Sequence, residues 1–220
     1  MRKIMLLLAF LVPGMAMAAG GNVHLDKAPV DLTDKASMQR GAKIFMNYCL
    51  GCHSMQYQRY QRTFTDLGIP DEIGQENLQF TGEKVTDYIT RSMPEESAAT
   101  WFGAAPPDLT LVNRVRGSDW IYTYLRSFYV DESRPFGVNN LVFKDVGMPH
   151  VLQPLQGTPR LAHEEVMIDG EQKEQYAGIK TDGDGALTPE EYDQAIADLV
   201  TNWDTDIPIG SFTPHRFSQP

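Results

Sequence analysis

A mostly helical fold of one domain is predicted by three features of this sequence. Helix-spaced apolar residues lead into Cys49-Leu50-Gly51-Cys52-His53, a strongly amphipathic helix lies near the C-terminal end, and 220 residues with 42% hydrophobic content can bury one sizeable core. The Cys-x-x-Cys-His spacing marks covalent c-type haem attachment. Two thiols three positions apart can each add to a vinyl group of one porphyrin, and the histidine that follows then lies beneath the iron. Cys49 and Cys52 are the only cysteines. A thioredoxin-like pair would need a preceding strand pattern, and a zinc site would need a second pair of ligands.

The elements follow in order. Arg2 and Lys3, the apolar run Ile4 to Val12 and Ala16-Met17-Ala18 read as an export signal over residues 1–18. Pro13 and Gly14 interrupt the run short of a membrane span. Gly20 to Leu32 is an extended arm. A helix capped by Thr33 or Asp34 carries Met38, Ala42, Phe45 and Cys49 on one face, with Gly41 inside it where another element can approach closely. Ser54 to Thr81 reads as irregular with short helical turns, and its Tyr57, Tyr60 and Phe64 can either cover a haem edge or fill the core. Gly82 to Arg91 looks helical. Pro106 and Pro107 stop the preceding helix, and Asp108 or Thr110 can cap the next. A helix capped by Ser118 is expected to Tyr129, followed by loop over Pro135 to Val146.

Thr158 to Gly185 is polar. Its end imitates a calcium-binding loop up to Glu191, but Lys180 stands where the first ligand belongs, so an acidic turn is the simpler reading. The last helix is the clearest. Thr188 caps it, Pro189 takes its first position, Glu191 completes a capping box, and Tyr192, Ala195, Ile196, Leu199, Val200 and Trp203 share one face. It should cross the haem-bearing helix near Gly41, the two clamping a helical shell around the porphyrin.

The formal net charge is −10, and cleavage after Ala18 would remove Arg2 and Lys3 and no acid, deepening it to −12. Such a chain is unsuited to nucleic acid and can attract a basic soluble partner. For the iron's second ligand the candidates are His24, His150, His163 and His215, with Met93, Met148 and Met167 among the methionines. Met46 and Met55 lie too close to the proximal helix. Met93 and Met148 both precede proline, which favours presentation from a loop, and spacing decides between neither.

Cys49 to His53, Trp101 to Thr110, Arg114 to Trp120 and Val146 to Pro149 together resemble proteobacterial cytochrome c1, the haem c subunit of ubiquinol–cytochrome c reductase. The resemblance runs from the export signal to about Trp203. It implies a class I cytochrome c-like core with insertions over residues 19–203 and one covalent haem c. Cys49 and Cys52 would hold that haem, His53 and Met148 would ligate the iron, Arg116 would pair with a propionate and Pro107 would pack near the haem face. Implied partners are cytochrome b, the Rieske iron–sulfur protein as donor and a soluble cytochrome c as acceptor, on the periplasmic side of the inner membrane. The family has a transmembrane anchor where residues 204–220 here hold two acids and three prolines, a tail that cannot span, so either the sequence is truncated or frame-shifted there or membrane attachment is expected through the complex. The other reading is a free periplasmic c-type cytochrome acting as a soluble shuttle.

Overall fold

The computed structural model describes residues 23–168 and 171–204. The export signal expected at residues 1–18 and the tail from residue 205 onward lie outside them. The described elements run α1 (Lys35–Ile44), a π-helical turn (Phe45–Cys49), β1 (Met55–Arg59), α2 (Tyr60–Leu67), α3 (Asp71–Leu78), β2 (Tyr88–Ile89) and α4 (Glu95–Phe102). They continue with α5 (Val112–Arg116), α6 (Ser118–Arg126), β3 (Phe128–Val130), β4 (Val138–Asn140), α7 (Gln153–Gln156), β5 (Pro159–Ile168), β6 (Glu171–Thr181) and α8 (Pro189–Asp204). The strands form three antiparallel pairs, β1 with β2, β3 with β4 and β5 with β6. Among the described residues no helix is long and apolar enough to cross a membrane.

α1 and α8 cross where the sequence predicts. A Cβ on Gly41 would lie 2.1 Å from the Asp198 carbonyl oxygen and 2.9 Å from Asn202 Cβ, so only glycine permits this approach. Phe45 and Cys49 are buried in one core with Tyr192, Ile196, Leu199 and Val200 of α8, while Met38 and Ala42 pack in a smaller cluster against Leu67 of α2. Each large apolar side chain hidden there contributes about 1.5–3 kcal/mol. The ends are set locally. Asp34 accepts from Ser37 N at 3.0 Å, Thr188 Oγ1 accepts from Glu191 N at 3.2 Å, and Thr188 N donates to the Glu191 carboxylate at 2.9 Å. α6 lies beside α8, its Ile121, Tyr122 and Leu125 in the same core.

A polar clasp reinforces the crossing. Asp198 accepts from Ser37 Oγ at 2.6 Å, from Arg40 at 2.6 and 2.9 Å, and from Gln194 at 3.0 Å. Burial alone would raise its pKa, but these hydrogen bonds outweigh burial and hold the carboxyl below the usual range. A depressed folded-state pKa adds stability that is complete above the unfolded aspartate value of about 3.9 and is lost as pH falls through the folded one. The urea midpoint should therefore drop as pH is lowered below about 4. Asp198→Asn should flatten that part of the profile, and an identical slope would remove Asp198 from the acid response.

Among the described residues helix outweighs strand, about 41% against 18%, so a mostly helical fold is only partly right. Gly82 to Arg91 is not a helix. The Asp87 carboxylate accepts from Glu83 N (2.8 Å) and Lys84 N (3.0 Å), holding a turn, and Ile89 then pairs with Met55. α6 stops at Arg126 because Asn140 donates to the Tyr124 carbonyl at 2.8 Å, and Phe128–Val130 pairs with β4 inside the expected loop. The polar stretch 158–185 is a long hairpin whose register runs from Pro159↔Thr181 to Ile168↔Glu171.

Two caps also differ from expectation. Ser118 is the first residue of α6, with Gly117 before it at φ +85°, and α5 is preceded by Leu111 with no side-chain cap.

Candidate haem site

The attachment loop is made by the end of the first helix. The π-helical turn widens the backbone before Cys49, and the Cys49 carbonyl then accepts from both Cys52 N (3.0 Å) and His53 N (2.8 Å). This tight turn carries both thiols and the imidazole off one helix end. Neither cysteine is in a disulfide, and Cys49 is buried. Burial pushes the Cys49 thiol up to about 12, with the neighbouring Cys52 adding to the effect. Burial raises Cys52 as well, opposed by the charge of Arg91.

Residues 106–110 lie alongside the loop. Leu109 N donates to the Ser54 carbonyl at 2.8 Å, and Gln56 N donates to the Asp108 carboxylate at 2.8 Å. Asp108 also accepts from Thr110 N at 2.9 Å, so it braces this segment and does not cap a helix. The Pro107 carbonyl thereby comes within 2.8 Å of His53 Nδ1. A carbonyl can only accept, so Nδ1 carries the proton and Nε2 keeps its lone pair. Burial lowers the His53 pKa, which keeps the ring neutral. Two free thiols and a neutral imidazole with Nε2 available fit a covalently held haem c. Pro107, expected near the haem face, contacts His53 through its backbone carbonyl.

The distal candidates separate by location. Met46 and Met55 are buried in the core, and Met167 is 67% exposed on the hairpin. His24 and His163 are exposed, and His215 lies outside the described residues. His150 is buried, stacked on Phe128 at 4.7 Å and joined through Nε2 to Gln156 at 2.7 Å, and burial lowers its pKa to about 4. Met93 N donates to the Gly51 carbonyl at 3.3 Å, which ties Met93 to the attachment loop itself. Met148 arrives from a separate segment beside Phe128, Val138 and Val146, and Tyr124 Oη donates to its sulfur at 3.4 Å.

Tyr124 stacks on Trp120 at 4.9 Å, and the Arg116 guanidinium lies 4.8 Å from the Trp120 ring centre. Arg116 at the end of α5, Trp120 and Tyr124 on α6, and Met148 from the separate segment thus form one file of contacts. Tyr60 and Phe64, which were free to be haem cover, are fully buried core residues, while Tyr57 is exposed. The acids of the calcium-like stretch serve separate tasks: Asp184 accepts from Thr158 N (2.6 Å) and Oγ1 (2.7 Å), Asp182 pairs with Arg160 (2.9 Å), and Glu191 caps α8. Arg91 was missed in the sequence. Its guanidinium donates to the Pro106 carbonyl at 2.8 Å, and a lone arginine after an unrecognised strand leaves no pattern that would reveal this.

The sequence profile of the Cytochrome C1 family matches residues 26–154. A cytochrome c1 of Allochromatium vinosum is 50% identical over 201 residues, covering 91% of this chain and 82% of that protein. A Nitrosomonas europaea protein named ammonia monooxygenase gamma subunit is 44% identical over 200 residues, 91% of this chain and 80% of its own length. The mitochondrial cytochrome c1 haem protein of Saccharomyces cerevisiae is 32% identical over 130 residues, 50% of this chain and 41% of the yeast protein. With the attachment loop and its oriented histidine, these likenesses establish that the chain belongs to the cytochrome c1 family, the covalent haem c electron-transfer subunit of ubiquinol–cytochrome c reductase.

Proposed function

We propose that Cys49 and Cys52 carry the porphyrin as thioethers, that His53 Nε2 and Met148 Sδ are the two axial donors, and that Arg116 pairs with a propionate. The observation that carries this reading is the 2.8 Å contact of His53 Nδ1 with the Pro107 carbonyl, which leaves Nε2 as the donor. Haem c, when bound, supplies a one-electron couple. The chain's own groups orient and shield it. The Pro107 carbonyl fixes the imidazole plane and makes Nε2 more basic. Tyr124, held by Trp120, aims its hydroxyl at Met148 and keeps that side chain in place. Arg116 presents a planar fork suited to a carboxylate.

The haem-binding body is a class I cytochrome c-like core over residues 19–203, with the β5–β6 hairpin as an insertion. Residues 1–18 act as the export signal and residues 204–220 form a polar tail. Electrons enter from the Rieske protein and leave to a soluble cytochrome c, beside cytochrome b and on the periplasmic side of the inner membrane. Half-identity along almost a whole cytochrome c1 favours this complex over a free shuttle. Exposed Glu164, Glu165 and Glu174 on the hairpin suit a basic acceptor.

Met148→Leu should abolish the weak sulfur-to-iron absorption band and lower the reduction potential, whereas Met93→Leu should leave both. The reverse pattern would refute the assignment. Carbon monoxide should leave the reduced wild-type spectrum unchanged and alter that of Met148→Leu. Binding to the wild type would instead indicate an open iron and overturn Met148 as an axial donor.

A further inference from the structure

Three segments that frame His53 converge on Arg91. Its backbone N–H donates to Ser54 Oγ at 2.9 Å, one residue beyond the histidine. Its guanidinium donates through Nε to the Met93 carbonyl at 3.2 Å and through Nη1 to the Pro106 carbonyl at 2.8 Å. Met93 in turn is tied to Gly51 inside the attachment loop. The Arg91 side chain is only 14% exposed, whereas Glu95, its ion-pair partner at 3.4 Å, is 79% exposed. That surface pair is screened by solvent, so the hydrogen bonds to two carbonyls are what the buried fork serves.

We propose that Arg91 is a positioning residue that sets the haem's reduction potential by fixing the Pro107 carbonyl to which His53 donates. The inference rests on the reading of His53 as an iron ligand. Leu109 N and Asp108 brace the stretch on its C-terminal side. Pro106 and Pro107 themselves have no N–H groups, and on the N-terminal side the rigid fork of an arginine can hold Met93 and Pro106 at once. The Pro106 carbonyl is one peptide unit from that of Pro107, so anchoring the first restricts rotation of the second. A well-seated Nδ1–H···O bond makes the imidazole a stronger donor and favours the oxidised iron. A loosened carbonyl weakens that bond, and the potential rises.

Charge and position are separated by the choice of variant. Arg91→Lys retains the positive charge and loses the planar fork. Redox titration of the haem in the purified complex should show its potential raised by about a threefold change in the one-electron equilibrium, roughly 28 mV at 59 mV per tenfold. Ser54→Ala, which frees the backbone of Arg91, should move it the same way by less, and it stands in if Arg91→Lys does not accumulate. Glu95→Gln should leave the potential unchanged. A lowered melting temperature with an unmoved or lowered potential in Arg91→Lys would overturn the proposal and leave Arg91 as a brace of the fold. A His53→Ala variant that keeps the low-spin spectrum of the wild type would instead refute His53 as a ligand, so the two failures are distinguishable.

Discussion

Gly41→Val should prevent the haem-bearing protein from accumulating. A Cβ at Gly41 would sit 2.1 Å from the Asp198 carbonyl oxygen, a backbone atom that cannot swing aside, and valine adds two methyl groups beyond it. Either α1 and α8 move apart or α8 bends. Overpacking a well-filled core typically costs about 1–3 kcal/mol, and a clash with helix backbone lies at or above the top of that range. Marginal stability of about 5–15 kcal/mol makes such a loss severe. Separation would also pull the Asp198 carboxylate from Ser37 and Arg40 and shift Phe45 and Cys49, which lie in the π-helical turn that continues α1. Gly41→Ala should be milder yet still lower the melting temperature by several degrees, on the order of 2–4 °C per kcal/mol for a chain of this size. A melting curve for Gly41→Ala that matches the wild type would mean that the helices part freely and that the crossing is not the source of stability.

Replacing both cysteines, Cys49→Ala with Cys52→Ala, should remove every covalent link to the haem. Acid–acetone extraction of the wild type should leave the colour on the polypeptide, and extraction of the double variant should release all of it into the solvent. Either single variant should keep one link. The loss cannot be ascribed to packing alone. Shortening the buried Cys49 leaves a small void worth on the order of 1 kcal/mol, far less than the loss of the ligand around which the site is built. Colour that stays with the double-variant chain would place the attachment elsewhere and overturn the thioether assignment.

Local patterns made much of this molecule legible. Cys49 to His53 needs only five consecutive residues, and α8 announces itself through Thr188, Pro189, Glu191 and a repeating apolar face. The crossing at Gly41 could be anticipated because an isolated glycine in an amphipathic helix is unfavourable unless something approaches it. The hairpin was not legible for a related reason. Glu164, Glu165, Gln172, Glu174 and Gln175 line its distal part, and with no apolar face the alternation that betrays a strand is missing. β2 and β4 were hidden because Asp87 and Asn140 settle those segments through side-chain hydrogen bonds, the second reaching back to Tyr124.

By itself, the sequence determined the attachment motif, the helices α1 and α8 with their caps, and, through the combination of Cys49 to His53 with Trp101 to Thr110, Arg114 to Trp120 and Val146 to Pro149, the membership of family. Only the tertiary structure decided which nitrogen of His53 carries the proton, since Pro107 lies 54 positions away and meets the ring through its carbonyl at 2.8 Å. It likewise tied Met93 to the attachment loop, brought Tyr124 onto Met148, and gathered Gly51, Ser54, Met93 and Pro106 around Arg91. The physical reason is the same in each case. Helix periodicity and caps are written in residues a few positions apart, whereas a hydrogen bond to a distant carbonyl depends on where the folded backbone brings that oxygen, and a carbonyl is common to every residue.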